Sequence, residues 1–588
     1  MTVDSAPERI GGGRGTGRAL RPDALGTRHA VAAGHPLAAL AAFRVLEAGG
    51  NAVDAGVAGG ICLGVVHSDI VNFAGVAPIM VYDAARREVT TISGLGPWPR
   101  RASLDFFVRE CGGEIPEGIL RTVVPAAPDA WITALEHFGT LGFAEVAAPA
   151  IELARDGFPL GPFVAGIIRE NEARYRRWPT SAPIYLPGGR PPAPGQRFVQ
   201  ADLGRTLAYM ADEDRAARRR GRVAGLQAAR DAFYRGDVAA AIARYHAQEV
   251  GLLTREDLAG FRVALEPPVR TAFRAHEVYA CGFWCQGPAL LQMLNVLEPV
   301  DLAGLGHNSP EYIHVLTEAI KLAFADREAY YGDPRQVTVP AEGLLDPAYG
   351  AARGRLIDPK RAWPAMPPPG DPAARGPIAP SWTGPTDPGG DAGTALGTSY
   401  IAVVDREGNA LSATPSDVST DTPIVPGTGL AVSSRGSQSW LTPGHPSAVA
   451  PGRRPRLTPN PAMLFRDGRL VMPFGTPGGD VQSQAMLQVL LNVVAFGLTP
   501  QLAVEAPRFA TQSFPDSFWP HRYFPGQLTL EGRIPDATAS ALTDRGHRVE
   551  RWPAWEWRAG AVCLVRVDEA GVLWGAADPR RDSYAVAW

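Results

Sequence analysis

The sequence predicts an α+β protein in which antiparallel sheet is covered by helices, a layered α/β/β/α arrangement. Three observations predict it. Short apolar runs come in pairs around polar turns, at 78–93, 400–414, 462–473 and 561–575, which is the signature of β-hairpins. Apolar residues recur at helical spacing in 37–46, 125–156, 309–331 and about 480–496. A Pro/Gly-rich stretch at 364–397 divides the chain in two; its composition can bury little, so it is expected to be mobile.

The elements follow in order. Residues 1–28 are Gly/Arg-rich without an apolar stretch and are read as a loose arm, with order starting near His29. The helix over 37–46 stops at Gly49-Gly50, and Asn51 then caps a second helix whose small side chains permit close packing. Residues 78–83 and 88–93 form the first hairpin. Pro128 and Asp129 open a helix in 125–156, and the arginines of 215–222 read as a solvated helix face. An amphipathic helix is expected over 309–331. The runs 400–405 and 410–414 pair around Arg406-Glu407-Gly408-Asn409, and 462–465 with 470–473 around Arg466-Asp467-Gly468. Gly475-Thr476-Pro477-Gly478-Gly479-Asp480 opens a helix, and 561–567 with 572–575 closes the series. The loop 441–452 is read as a long surface loop, with a lid as the alternative.

Length allows about three to four domains, or one large sandwich of two joined halves, for 588 residues. A net charge of −3 gives no footprint for nucleic acid or an anionic membrane, and no apolar run reaches about 18 residues. Five cysteines argue against a disulfide framework, and Cys281 and Cys285 lack a second ligand pair at zinc-like spacing. A cytoplasmic location is the expectation, with no metal or organic cofactor and with His67 and His445 left as structural or surface groups.

The chemistry points to Thr398. It stands where the Pro/Gly stretch ends and the strand 400–405 begins, behind Gly397, whose carbonyl is unhindered. A threonine hydroxyl needs a base. If the Gly397–Thr398 bond is cut, the new α-amino group, with a reference pKa of about 7.7, becomes that base on the same residue. Gly478 and Gly479, at a helix start, offer two backbone amides for an oxyanion.

The chain resembles the gamma-glutamyltransferase family of N-terminal nucleophile hydrolases over nearly its whole length. The matching segments are 49–55, 306–309, 321–327, Thr398-Ser399-Tyr400 with 403–405 and 408–410, Thr476-Pro477-Gly478-Gly479, and Ala577-Asp578-Pro579-Arg580. The resemblance implies a four-layer αββα sandwich and self-cleavage into a large subunit (29–397) and a small one (398–588). These would stay together as a heterodimer, with further dimerisation left open. It implies an oxyanion hole from Gly478 and Gly479, and a second hydroxyl at Ser416, where the family usually has threonine.

The substrate pocket departs from the family pattern. The arginine that holds the glutamyl carboxylate falls in the segment 93–99, which has none; Arg100 and Arg101 are out of register. The family's asparagine near the second hydroxyl corresponds to Val418, its acidic run to Ser433-Ser434-Arg435-Gly436-Ser437-Gln438, and its paired serines to Leu457-Thr458. A zwitterionic head needs a cation and an anion; here the anion is missing and Arg435 is gained. The Arg435-Gly436 pair resembles the branch with oxamate amidohydrolase-like members. The expectation is therefore a hydrolase or acyltransferase for a small amide, not a γ-glutamyl one, with Arg435, Gln438 and Thr458 binding substrate. The alternatives are a surface role for Arg435, a genuine gamma-glutamyltransferase or glutathione hydrolase with a rebuilt pocket, and a non-catalytic binding protein on the same fold.

Overall fold

A computed structural model describes residues 19–373 and 397–588. Two seven-stranded antiparallel sheets pack face to face. In the first the spatial order is Ala24–Gly26, Leu573–Ala577, Cys563–Val567, Arg469–Gly475, Ala462–Arg466, His276–Ala280, Val269–Phe273. In the second it is Tyr584–Ala587, Ala30–Ala33, Ile401–Val404, Ala410–Ala413, Ile79–Asp83, Glu88–Ile92, Leu265–Glu266.

Strand Ile401–Val404 shows why the layers form. Alternate side chains leave opposite faces: Tyr400, Ala402 and Val404 enter the core between the sheets with Met80, Met463 and Val565. Ile401 and Val403 face the other way, into a helical layer that includes Pro36–Glu47 and Ala52–Val66. Helices Gly287–Leu297, Pro310–Tyr330 and Val481–Val494 cover the outer face of the first sheet. The result is the four-layer αββα sandwich.

Ala52–Val66 is buried along its whole length because its small residues admit close neighbours. A Cβ at Gly56 would come within 2.5 Å of Leu411, one at Gly59 within 2.3 Å of Ile401, and one at Gly60 within 2.4 Å of Trp131. Asn51 and Asp54 form a capping box at its start. The helix aims its C-terminal end, and His67–Asn72 beyond it, at the head of strand Ile401–Val404.

Several expectations change. Residues 19–28 are not part of a loose arm: the Leu20 and Arg21 amides donate to the Glu505 carboxylate, and Ala24–Gly26 pairs with Leu573–Ala577. Of the segment expected to be mobile, 374–396 lies outside the described residues, but 364–373 is docked. The Gly370 amide donates to Asp326 at 2.8 Å and the Met366 amide to Tyr523. Helix Pro310–Tyr330 is buried on nearly all sides rather than on one stripe, with its charges paired inside, as in Lys321–Glu318. In 215–222, Arg215, Arg219 and Arg220 are exposed as expected, but Arg218 and Arg222 bond Glu145, Asp214 and the carbonyls of Leu135 and Leu141. The loop 441–452 lies at the surface at 442–444 and 451, as expected, while its His445 is stacked on Trp440 and buried.

Candidate active site

The hairpin register builds the centre of the site. Ile401 pairs with Ala413 and Val404 with Ala410; carrying that register back three residues puts Thr398 opposite Ser416, and the two do bridge. The Thr398 hydroxyl lies 2.7 Å from Ser416 Oγ and 2.5 Å from the Gly397 carbonyl oxygen. Ser416 Oγ also reaches that oxygen. Thr398 is 1% exposed, so in the uncut chain no substrate can reach it.

Arg435 completes the cluster. Its Nη2 donates to the Gly397 carbonyl at 3.1 Å and to Ser416 Oγ. The side chain is buried, not on the surface, with Nε 3.3 Å from Asp417. Asp417 in turn accepts from Ser433 Oγ and from the Ser434 amide and hydroxyl. Burial pushes the Asp417 carboxyl up and the Arg435 guanidinium down from their ordinary values, and each is held charged by the other. Asp417 sits at φ +118, a conformation unusual for a side chain of this kind; Asn72 Nδ2 clamps its carbonyl at 2.8 Å.

Gln438 ends the short 3₁₀ turn Arg435–Gln438 and donates to Thr458 Oγ1 at 2.9 Å, leaving its own Oε1 without a partner among the described residues. Gln286 Nε2 bridges the Thr458 carbonyl and the Gly479 carbonyl at 3.0 and 2.8 Å, which ties this wall to the glycine loop. Gly478 and Gly479 lie at φ +135 and +56, where side chains are disfavoured. Neither amide donates to a backbone acceptor among the described residues. The loop follows Arg469–Gly475, whose Gly475 abuts the Tyr400 ring so closely that a Cβ would come within 2.3 Å.

Sequence reasoning missed a second group of side chains on the other flank of Thr398. Arg581 Nη1 lies 3.4 Å from the Thr398 carbonyl oxygen, with the guanidinium between Phe163 and Trp557. His67 Nδ1 is 3.3 Å from Ser399 Oγ, and a Cβ at Gly34 would collide with that hydroxyl. The Asp69 carboxylate oxygens, His67 Nε2 and Arg581 Nη2 are buried with no hydrogen-bond partner among the described residues. Burial pushes Asp69 up to about 7 against the pull of Arg581, and holds His67 well below its usual range. The only signal in the sequence was the second arginine after Asp578-Pro579.

Among the described residues, one cluster has metal-like spacing. His314, Glu318 and His547 bring ligand atoms within 4.8 Å of one another. Both nitrogens of His314 are engaged, however: Nδ1 bonds His547 Nε2 and Nε2 bonds the Asp358 carbonyl, each at 2.8 Å. The Lys321 ammonium sits 2.7 Å from Glu318 and would repel a cation. The described cysteines are free.

A hydroxyl residue at the head of a central strand, in a two-sheet sandwich enclosed by helices, defines the class: an N-terminal nucleophile hydrolase. The chain belongs to the gamma-glutamyltranspeptidase family, whose profile matches residues 38–588. It is 34% identical over 579 residues to the acylase ACY 1 proenzyme of Pseudomonas sp. (strain SE83), covering 96% of this chain and 94% of that protein. It is 31% identical to the glutathione hydrolase-like YwrD proenzyme of Bacillus subtilis (strain 168), covering 96% and 100%. The crystal structure of cephalosporin acylase from Bacillus halodurans superposes with a TM-score of 0.84 at 27% identity, covering 100% of this chain and 99% of that one. The protein is thus an amide hydrolase or acyltransferase of this family.

Proposed function

We propose that the chain cuts itself between Gly397 and Thr398, and that Thr398 then serves as nucleophile and, through its new amine, as base. The substrate is a small amide whose acyl group carries an anion close to the scissile carbonyl, rather than a γ-glutamyl compound. The observation that carries this reading is Arg435 Nη2, 3.1 Å from the carbonyl oxygen of the bond to be cut. Once Gly397 leaves, that donor faces the place of a substrate's acyl group. A γ-glutamyl head would also need an anion for its ammonium, and the carboxylates nearest Arg435 are committed. Asp417 is held by Ser433, Ser434 and Arg435, and Asp421 by Arg121 and Arg174. Ser416 aligns the hydroxyl, the Gly478 and Gly479 amides receive the oxyanion, and Gln438 with Thr458 forms the uncharged wall of the acyl pocket. The acylase name of one relative supports this substrate reading, and the proenzyme names of both support the self-cleavage.

Asp69 favours a second reading, a glutathione hydrolase with a rebuilt pocket: its unpartnered carboxylate could hold an ammonium. The two readings separate on one panel. Matured protein is offered short dicarboxylic monoamides, N-acyl compounds and γ-glutamyl-p-nitroanilide, with released amine as readout. Preference for the monoamides supports the first reading; γ-glutamyl-p-nitroanilide cleaved best overturns it.

The two cleavage products would remain a heterodimer, because strand Ile401–Val404 lies between Ala30–Ala33 and Ala410–Ala413 and both sheets mix strands from before and after the cut. A cytoplasmic location belongs to the same proposal, supported by cysteines that are unpaired. No helix among the described residues is long and apolar enough to cross a membrane.

A further inference from the structure

We propose that the chain carries two separate oxyanion sites, with Arg435 serving the cut that matures the protein and the Gly478–Gly479 amides serving later turnover. This rests on the self-cleavage reading above and assigns Arg435 a catalytic role in it.

The Gly397 carbonyl oxygen is the atom that becomes negative when Thr398 attacks. Its donors are Thr398 Oγ1, Ser416 Oγ and Arg435 Nη2. The first of these is the attacking group and loses its proton, which leaves the serine hydroxyl and the guanidinium. Neither Gly478 nor Gly479 donates to this oxygen. The carbonyl is held in place: a Cβ at Gly397 would come within 2.0 Å of Val418 and 3.2 Å of the Ile70 carbonyl, so only glycine lets the chain pass here. The guanidinium is held too, by Asp417 at 3.3 Å and by the Phe518 ring 5.5 Å from its centre. A fixed, buried cation is the arrangement that stabilises a developing charge at little reorganisation cost.

The step balances as follows. Thr398 Oγ1 bonds to the Gly397 carbonyl carbon, whose π pair moves to the oxygen beside Arg435. The pair returns as the C–N bond breaks, and the Thr398 nitrogen takes up the proton that Oγ1 lost. An ester now joins Gly397 to Oγ1. Water then adds to the ester carbonyl; one of its protons returns to Oγ1 and the other passes to the new Thr398 amine, leaving the Gly397 carboxylate. Arg435, relieved of the Gly397 carbonyl, becomes available to a substrate anion.

The test is a maturation time course by intact mass, on freshly purified wild type, Thr398→Ala, Arg435→Gln, Arg435→Lys, Arg435→Ala and Gly479→Ala. Arg435→Gln is expected to cut about 100-fold more slowly. Arg435→Lys, which keeps the charge without the fork, should be slowed less. Added guanidinium ion should speed Arg435→Ala, a response that a misfolded variant would not give. Gly479→Ala should cut within about tenfold of wild type while its matured form turns over about 100-fold more slowly. Arg435→Gln and Arg435→Lys cutting at the wild-type rate, no response to guanidinium, or Gly479→Ala blocking maturation as strongly as Arg435→Gln would each overturn the division of labour. If instead wild type stays whole, or Thr398→Ala is cut, it is the self-cleavage reading that fails.

Discussion

Replacing Ser416 with alanine removes one oxygen that serves three partners at once: the Thr398 hydroxyl, the Gly397 carbonyl and Arg435 Nη2. None of the three is left bare, since Thr398 Oγ1 and Arg435 Nη2 both still reach the Gly397 oxygen. The cost to the fold is therefore at the low end for a buried hydrogen-bonding group, about 1 kcal/mol. The cost to the reaction is larger, because one of two donors to the developing oxyanion is lost and the attacking hydroxyl loses its aligning partner. Loss of one such donor is worth about 2.7–4 kcal/mol, or about 10²–10³ in rate. Arg435 remains, so the lower end applies. The assay follows conversion of precursor to two chains by intact mass, then kcat of whatever matures on the best amide of the panel. Ser416→Thr keeps the hydroxyl and adds one methyl to a packed site, a cost of about 1–3 kcal/mol to the fold, with the hydroxyl's part in the reaction retained. Ser416→Ala maturing and turning over at wild-type rates would refute the reasoning.

Gly478→Ala forces a side chain onto a backbone at φ +135 and shifts the amide beside it; kcat of the matured protein is expected to fall about 100-fold. A normal kcat would remove this loop from the oxyanion site. Asp69, with its carboxyl pushed up to about 7 from a reference near 3.8, binds a proton more tightly in the folded chain than in the unfolded one. Its contribution is thus intact below about pH 4 and lost as pH rises to about 7, a cost on the order of a few kcal/mol. Asp69→Asn, which stays neutral, should have a higher Tm than wild type at pH 8.5, with the gap closing near pH 4. A gap independent of pH would show that Asp69 is not buried against its charge.

The layers and the hairpins were legible because they depend on local spacing: alternation along 400–405, the capping residue at Asn51, the glycine turn at 475–480. Ser416 is named from the family resemblance alone; the structure supplies the physical reason, since one hairpin register extended by three residues sets Thr398 opposite it. What is formed by residues far apart in sequence was not legible. Residues 19–28 are ordered by Glu505, nearly 500 positions away, and 364–373 by Asp326 and Tyr523. Arg435 has the neighbours of an ordinary loop arginine in the sequence. Only the strained turn at Asp417, clamped by Asn72, carries it inward. His67, Asp69 and Arg581 come from two distant segments, and no spacing rule joins them.

Maturation as proposed turns on where the chain is broken. Intact mass with N-terminal sequencing of purified wild type and Thr398→Ala reads this directly. Wild type is predicted to give two chains, the smaller beginning at Thr398, while Thr398→Ala stays a single chain of 62.5 kDa. A wild-type chain that persists at full length, a break at another bond, or a cut Thr398→Ala chain would contradict it.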